Sequence, residues 1–320
     1  MEKTPLIILT GPTAAGKTAL SLKLAKKYNG AIISADSMQV YRHMDIGTAK
    51  LPEEEREQIP HYLIDIREPY DAFHIVDFQK ESLQAIDMIY QAGQLPIIAG
   101  GTGFYIQSVL YPIDFNDDSD DPILRERLEN MLMIRGAGYL HRILEKVDPL
   151  SASRIHPNNA RRTIRALEFY FRTKTSIAEH NDREARKESG FSFCYFVLTM
   201  ERETLYRRID ERVDQMIKEG LVEEVQALLR EGVPRDATSM QGLGYKEIVS
   251  YLDGEIPLEE AIRILKRDTR HFAKRQLTWF RRERDVTWIK KEDFDNDENK
   301  ILAFMEEKIR ERTGLICQEH

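Results

Sequence analysis

The stretch LIILTGPTAAGKTALSLKLA, residues 6–25, decides the fold. LIILT (6–10) is apolar almost throughout, a strand with no face left for water. Gly11, Pro12, Thr13, Ala14, Ala15, Gly16, Lys17 and Thr18 then fit the pattern G-x-x-x-x-G-K-[ST], and apolar residues recur at helical spacing behind them. In such a strand–turn–helix unit the backbone N–H groups of the turn and the helix N-terminus converge on an anion. Lys17 adds a positive charge at the terminal phosphate, and the Thr18 hydroxyl can hold Mg2+. The segment therefore predicts a P-loop that grips a diphosphate.

Further apolar runs follow: AIISA (31–35), YLIDI (62–66), LPIIA (95–99), FCYFVLTM (193–200) and VTWI (286–289), with helical patterns at Lys17–Tyr28 and Asp77–Gln91. Strands without alternation, separated by helices, belong to a parallel sheet covered on both faces. The alternation fails from 114 to 190, where helical patterns at Pro122–Arg135, Tyr139–Val147 and Asn159–Arg172 follow an acidic loop. The reading is an α/β, P-loop NTPase-like parallel sheet covered by helices. It carries an α-helical insertion domain (114–190) and a helical C-terminal region, with residues 1–113 and 191–320 forming the core domain.

Composition narrows the function. The chain has 320 residues, 42% hydrophobic and 32% charged, which is globular rather than disordered. No apolar run reaches membrane-spanning length, and the N-terminus lacks the basic flank and long apolar stretch of a signal peptide. Two cysteines, Cys194 and Cys317, make a disulfide framework or a thiolate metal site a poor reading and point to a reducing cytoplasm. The net charge of −7 speaks against a polyanion partner, but it is unevenly spread. Residues 261–284 hold nine Lys/Arg against Asp268 and Glu283, a net of +7, and residues 154–174 hold a net of +5. Two basic segments on an acidic body can still attract a nucleic acid locally.

Several residues carry candidate chemistry, each with a plainer alternative. Asp36 closes the second strand at the sheet edge where doubly-wound folds bind ligands, with Ser37, Met38 and Gln39 after it. It can serve as a general base or a Mg2+ contact, or merely cap the next turn. The fourth strand ends in Gly100-Gly101-Thr102-Gly103, without the acidic residue of ATPases. Those glycines admit a second close backbone approach, or serve packing alone. Arg161 and Arg165 share a helical face with Arg162 beside them, a match for phosphates or an ordinary solvated face. Lys274–Arg281 interleaves basic groups with Trp279 and Phe280, a surface for unstacked bases or ordinary core packing. Asp117, Asp118 and Asp121 spell D-D-x-x-D, a diphosphate–metal pattern elsewhere, although Asp121–Pro122 also fits a helix N-cap and its first residue.

GPTAAGKT (11–18), ISADSMQVYRHMDIGTAK (33–50), GGTGFY (100–105), DPILR (121–125), NARRTIRALE (159–168), QGLGYK (241–246) and KRQLTWFR (274–281) occur in this order. Together they resemble the tRNA dimethylallyltransferases, also called tRNA isopentenyltransferases, over roughly residues 5–290. The resemblance implies transfer of a dimethylallyl group from dimethylallyl diphosphate to the exocyclic N6 amine of the adenosine 3′ of the anticodon, with release of diphosphate. It implies that the P-loop holds the prenyl diphosphate, although the motif also reads as ATP-binding. Lys17, Thr18 with Mg2+, and Arg212 or Arg208 would neutralise the leaving group, Asp36 would take the amine proton, and Thr102 would touch the target nucleotide. By the same resemblance tRNA is contacted by Asp36, Ser37, Met38, Gln39, Thr102 and Arg125; by Arg161, Arg162, Thr163, Ile164 and Arg165; by Gln241, Gly242, Leu243, Gly244, Tyr245 and Lys246; and by Lys274, Arg275, Gln276, Leu277, Thr278, Trp279, Phe280 and Arg281. Arg161 stands where many members carry Gln, which suits a phosphate contact. The target base would be flipped into the site while the insertion clamps the anticodon stem-loop. The implied protein is a cytoplasmic monomer with no membrane contact. The alternatives are a P-loop nucleotide or small-metabolite kinase, and a non-catalytic RNA-binding protein gated by nucleotide.

Overall fold

The first strand, β1 (Thr4–Thr10), lies in the middle of a six-stranded parallel sheet in the computed structural model, which describes residues 3–56, 58–111, 121–184 and 187–315. In chain order the remaining core elements begin with α1 (Lys17–Lys27), β2 (Gly30–Ala35), β3 (His61–Tyr62), α2 (Ile75–Gln91), β4 (Leu95–Gly100) and α3 (Gly103–Leu110). The insertion supplies α4 (Pro122–Arg135), α5 (Ala137–Val147), α6 (Pro149–Arg154), α7 (Ala160–Thr173) and α8 (Ile177–Glu184). The core resumes with β5 (Phe191–Thr199), α9 (Arg202–Glu219), α10 (Leu221–Arg230), α11 (Tyr245–Leu252), α12 (Leu258–Phe280), β6 (Val286–Lys290) and α13 (Glu298–Thr313). The strand order is β3-β2-β4-β1-β5-β6, with Ile7 opposite both Ile97 and Cys194.

The uniform apolar strands have the burial that their composition requires. Ile7 and Leu9 join Leu20, Leu24, Ile209, Ala273, Ile301 and Met305 in one core. Leu6 and Ile8, which alternate to the opposite face, are equally buried. Each contributes on the order of 1.5–3 kcal/mol of hydrophobic stabilisation. Cys194 lies in this core as a free thiol, and burial pushes its pKa up to about 11, so it is chemically inert. No helix among the described residues is long and apolar enough to cross a membrane.

One strand departs from the sequence reading. YLIDI was expected to pair over 62–66, but β3 ends at Tyr62 because Leu63 (φ 62°) and Asp65 (φ 57°) take left-handed conformations that break the ladder. The segment turns toward the loop after β2 instead: Asp65 N–H donates to Gln39 O, and Ile66 and Arg67 N–H donate to Val40 O. Lys50, almost wholly buried, fixes this corner by donating to Tyr41 O and to the carboxylates of Asp45 and Asp65.

The chain folds as two compact units, Met1–Val109 with Phe191–His320, and Leu110–Gly190. The second is all-helical among its described residues, around Leu128, Leu140, Leu144, Ala152, Ile164, Ala166 and Leu167. Its helices begin where capping chemistry sets them. Asp121 accepts from Leu124 N–H with Pro122 at the first helical position, Asp148 accepts from Ser151 N–H, and Asn159 accepts from Arg162 N–H. Asp121 is thus a cap. Asp117 and Asp118 lie outside the described residues, as does Cys317.

Candidate active site

The loop after β1 can be built only with glycine at its start. Gly11 has φ 147°, and a Cβ there would fall 2.4 Å from Leu198 O of the neighbouring strand. The loop ends at Gly16, the N-cap of α1, where no side chain caps the helix. The first N–H groups of α1 and its dipole are thus available to an anion. Lys17 Nζ lies over this turn and donates to Gly11 O at 3.0 Å and Pro12 O at 2.9 Å. Burial, reinforced by the Arg212 guanidinium and opposed by Asp36, brings its pKa down to about 8. Arg212, on α9, donates to Thr13 Oγ1 at 3.5 Å. Burial likewise lowers its pKa, with Asp36 again opposing.

Asp36 enters from the end of β2. Its Oδ1 accepts from Met38 N–H at 2.9 Å, so it does cap the turn, and Oδ2 remains for chemistry. A cavity of about 320 Å3 is lined by Thr13, Gly16, Lys17, Thr18, Asp36, Arg208 and Arg212 together with Gln39, Thr48, Leu51, Ile64 and Phe272. One side of it is cationic, Asp36 provides a carboxylate, and the remaining wall mixes polar groups such as Ser34, Gln39, Thr48 and His61 with apolar Leu51, Ile64 and Phe272. Thr102 is held beside Asp36, since its N–H donates to Ala35 O at 3.1 Å.

The glycine turn after β4 serves the protein's own packing. A Cβ at Gly101 would lie 2.2 Å from Gln276 Nε2, and one at Gly103 would lie 2.2 Å from the Trp279 ring. The turn thus packs closely against α12, the plainer of its two readings, while Gly100 and Gly101 also line the cavity. Gln276 is buried there and straps two loops together. Its Oε1 accepts from Thr13 N–H at 3.0 Å, and its Nε2 donates to Gly101 O at 2.9 Å. Gln276→Leu keeps the volume but strands both backbone groups. It is expected to lower stability by about 1–3 kcal/mol and to weaken inorganic pyrophosphate binding roughly tenfold. Thermal melts and titration calorimetry on the pair of proteins check both.

The tertiary structure divides the remaining sequence candidates. In α7, Arg161, Arg162 and Arg165 are exposed, whereas Thr163 and Ile164 face the helical core and present no side chain to a partner. Arg125 spans Glu129 and Glu168 at 3.1 and 3.4 Å. In α12, Lys274, Arg275, Thr278 and Arg281 form an exposed stripe, Leu277 packs against the core, Trp279 is half-buried against Phe104, and Phe280 is wholly buried. Phe280 is therefore internal, whereas Gln276, though buried, is on the lining of the cavity.

The QGLGYK segment divides in the same way, with Gln241 and Lys246 exposed and Gly244 and Tyr245 buried. Gln241 donates to Arg235 O, Gly242 packs under Met38, and Gly244 caps α11. Lys246 pairs with Glu247 and is exposed, as Leu243 is in part. Tyr245 is fully buried, and its hydroxyl donates to Glu224 Oε1 at 2.7 Å. Glu224 in turn accepts from Asp45, Ile46 and Gly47 N–H, and Thr48 O in that loop accepts from Gln39 Nε2. Tyr245 and Glu224 thus hold the cavity wall from behind. Sequence reading missed Glu224, Thr48 and Phe272, which carry no motif of their own; the quoted segment MDIGTAK around Thr48 was the one available signal.

The family described as IPPT, IPP transferase, matches residues 39–283. A tRNA dimethylallyltransferase of Lachnoclostridium phytofermentans is 54% identical over 308 residues, spanning 96% of this chain and 98% of the relative. Among solved structures, the full-length tRNA isopentenylpyrophosphate transferase of Bacillus halodurans aligns with TM-score 0.73 at 45% identity, covering 98% of this chain and 99% of that one. A eukaryotic dimethylallyltransferase acting on tRNA aligns with TM-score 0.82 at 29% identity, covering 99% of this chain and 81% of that one.

Proposed function

The chain belongs to the IPP transferase family, whose curated members are tRNA dimethylallyltransferases, and from that premise we propose that it transfers a dimethylallyl group from dimethylallyl diphosphate to the N6 amine of the adenosine 3′ of the anticodon in tRNA, releasing diphosphate. The observation that carries this reading is a single cavity in which Lys17 and Arg212 lie against the P-loop and Asp36 lies on the same lining. Alkylation of a weak amine needs both. The diphosphate leaves only if its developing charge is met by cations and N–H groups, and the amine proton needs a base. Leu51, Ile64 and Phe272 offer apolar surface to a five-carbon chain.

Asp36 Oδ2 takes the amine proton as the N–C bond forms, while Lys17, Arg212 and the first N–H groups of α1 hold the departing oxygens. Mg2+ fits the donors present, with the Thr18 hydroxyl and the Asp36 carboxylate in one cavity. When bound at Thr18 the ion would supply further positive charge to the diphosphate and would leave Asp36 Oδ2 to the amine.

The kinase alternative finds less support, because β4 ends in glycine where an ATPase carries an acid. tRNA is proposed to be held by the exposed Arg161, Arg162 and Arg165 of the helical unit and by the Lys274–Arg281 stripe, with the protein acting as a cytoplasmic monomer. The decisive assay combines purified protein, Mg2+, dimethylallyl diphosphate and an anticodon stem-loop with adenosine on its 3′ side. A gain of one dimethylallyl mass on that RNA is expected; phosphate transfer from ATP with no mass gain would replace this reading by the kinase. Arg161→Ala combined with Arg165→Ala is expected to weaken RNA binding roughly tenfold and to reduce the salt slope by about 1–2, checked by fluorescence anisotropy across a salt series.

A further inference from the structure

Lys291 opens the short turn after β6 and is only 5% exposed, yet its ammonium makes no ion pair or hydrogen bond with any described residue. It lies against the P-loop: a Cβ built on Gly16 would be 3.3 Å from Lys291 Nζ and 3.9 Å from Arg208 Nη2. Two cations thus converge on the uncapped N-terminus of α1, and Arg208 lines the cavity. Two carboxylates act on Lys291 from nearby without pairing with it, Glu298 and Glu292, and the Glu292 Oε2 is buried with no hydrogen bond to any described residue. Glu292 accepts from Glu201 N–H, and Glu298 pairs with Lys23 at 2.8 Å. Burial, then the neighbouring Arg208, push the Lys291 pKa down, with Glu298 and Glu292 opposing.

A lysine with a largely buried stem whose ammonium has no counter-ion and lies beside a second cation is destabilised unless an anion joins it. We propose that Lys291, with Arg208, is a further contact for the donor's diphosphate, an inference that rests on the function proposed above. Strand order separates its role from that of Asp36. β6 lies two strands from β1 on one flank and β2 lies two strands away on the other. The base at the end of β2 therefore serves the incoming amine, while Lys291 and Arg208 reach the P-loop from the leaving-group flank. There they neutralise the charge that the diphosphate gains as the C–O bond breaks and its electron pair stays with oxygen.

The test compares the wild type with Lys291→Met and Lys291→Arg by calorimetric titration of inorganic pyrophosphate, melting without ligand, and steady-state kinetics. For Lys291→Met the melting temperature without ligand stays equal or rises, pyrophosphate affinity falls about tenfold, and RNA affinity is unchanged; Lys291→Arg regains part of the loss. Pyrophosphate affinity equal to wild type in Lys291→Met overturns the proposal while leaving the function standing. So does a loss of binding that accompanies a lower melting temperature and is not relieved by Lys291→Arg. A wild type that does not bind pyrophosphate removes the proposed function and this inference with it.

Discussion

Asp36→Asn is expected to lower kcat by about 10²–10⁴-fold while leaving RNA affinity within about threefold. The substitution is chosen for what it preserves. Met38 N–H donates to Asp36 Oδ1, and the asparagine carbonyl accepts the same bond, so the turn after β2 keeps its shape. What disappears is the basicity of Oδ2 and one negative charge facing Lys17 and Arg212. Lost basicity appears in kcat, because the amine must then shed its proton without help. The lost charge has a separate signature. Asp36 is the group that raises the Lys17 pKa against burial and Arg212, so its removal lets that pKa fall further below about 8. Single-turnover rates and pyrophosphate titrations across pH read the two effects independently. Near-normal turnover in Asp36→Asn would mean that the proton leaves to another group.

Loss of the Lys17 ammonium has the next largest effect. Lys17→Met is expected to weaken pyrophosphate binding and slow transfer by about 10²–10³-fold, since the charge acts in a partly buried site where screening by water is weak. The same group gives a pH dependence of definite sign. With a pKa of about 8 in the free protein, Lys17 is charged below that pH and pyrophosphate affinity should be level there. Above it each unit of pH should cost about tenfold in affinity, because a proton must be taken up on binding. Stability should respond in the opposite direction. Between about 8 and the ordinary value of 10.5 the unfolded chain holds a proton that the folded chain has lost, so the contribution of Lys17 to stability rises with pH. Lys17→Arg stays charged throughout and should abolish the break in binding near pH 8, even if its affinity is lower. Calorimetry from pH 6.5 to 9.5 on the three proteins distinguishes these outcomes.

The P-loop was legible in the sequence because its chemistry is local. The strand, the glycine with forced positive φ and the helix it starts are contiguous, and each follows from the residues within that stretch. Asp36 was legible for the same reason, as the residue at the tip of an apolar strand. The insertion could be recognised by its lost strand periodicity, and the caps at Asp121 and Asn159 sit where their side chains dictate. The short β3 was not foreseen, because left-handed backbone at Leu63 and Asp65 answers to Lys50 and the loop after β2, not to local propensity.

The sequence by itself determined an anion nest, a carboxylate at a strand end, and two basic segments, since these depend on neighbours within a few residues. Only the tertiary structure decided which motif residues face a partner and which hold the scaffold. Gln276 reaches Thr13 across 263 positions, Tyr245 turns inward to Glu224, and Lys291 arrives at Gly16 from the far edge of the sheet. Such roles arise from close packing between elements distant in the chain. A hydrogen-bonding side chain looks alike in the sequence whether folding turns it toward solvent or against another loop, and burial alone assigns its task.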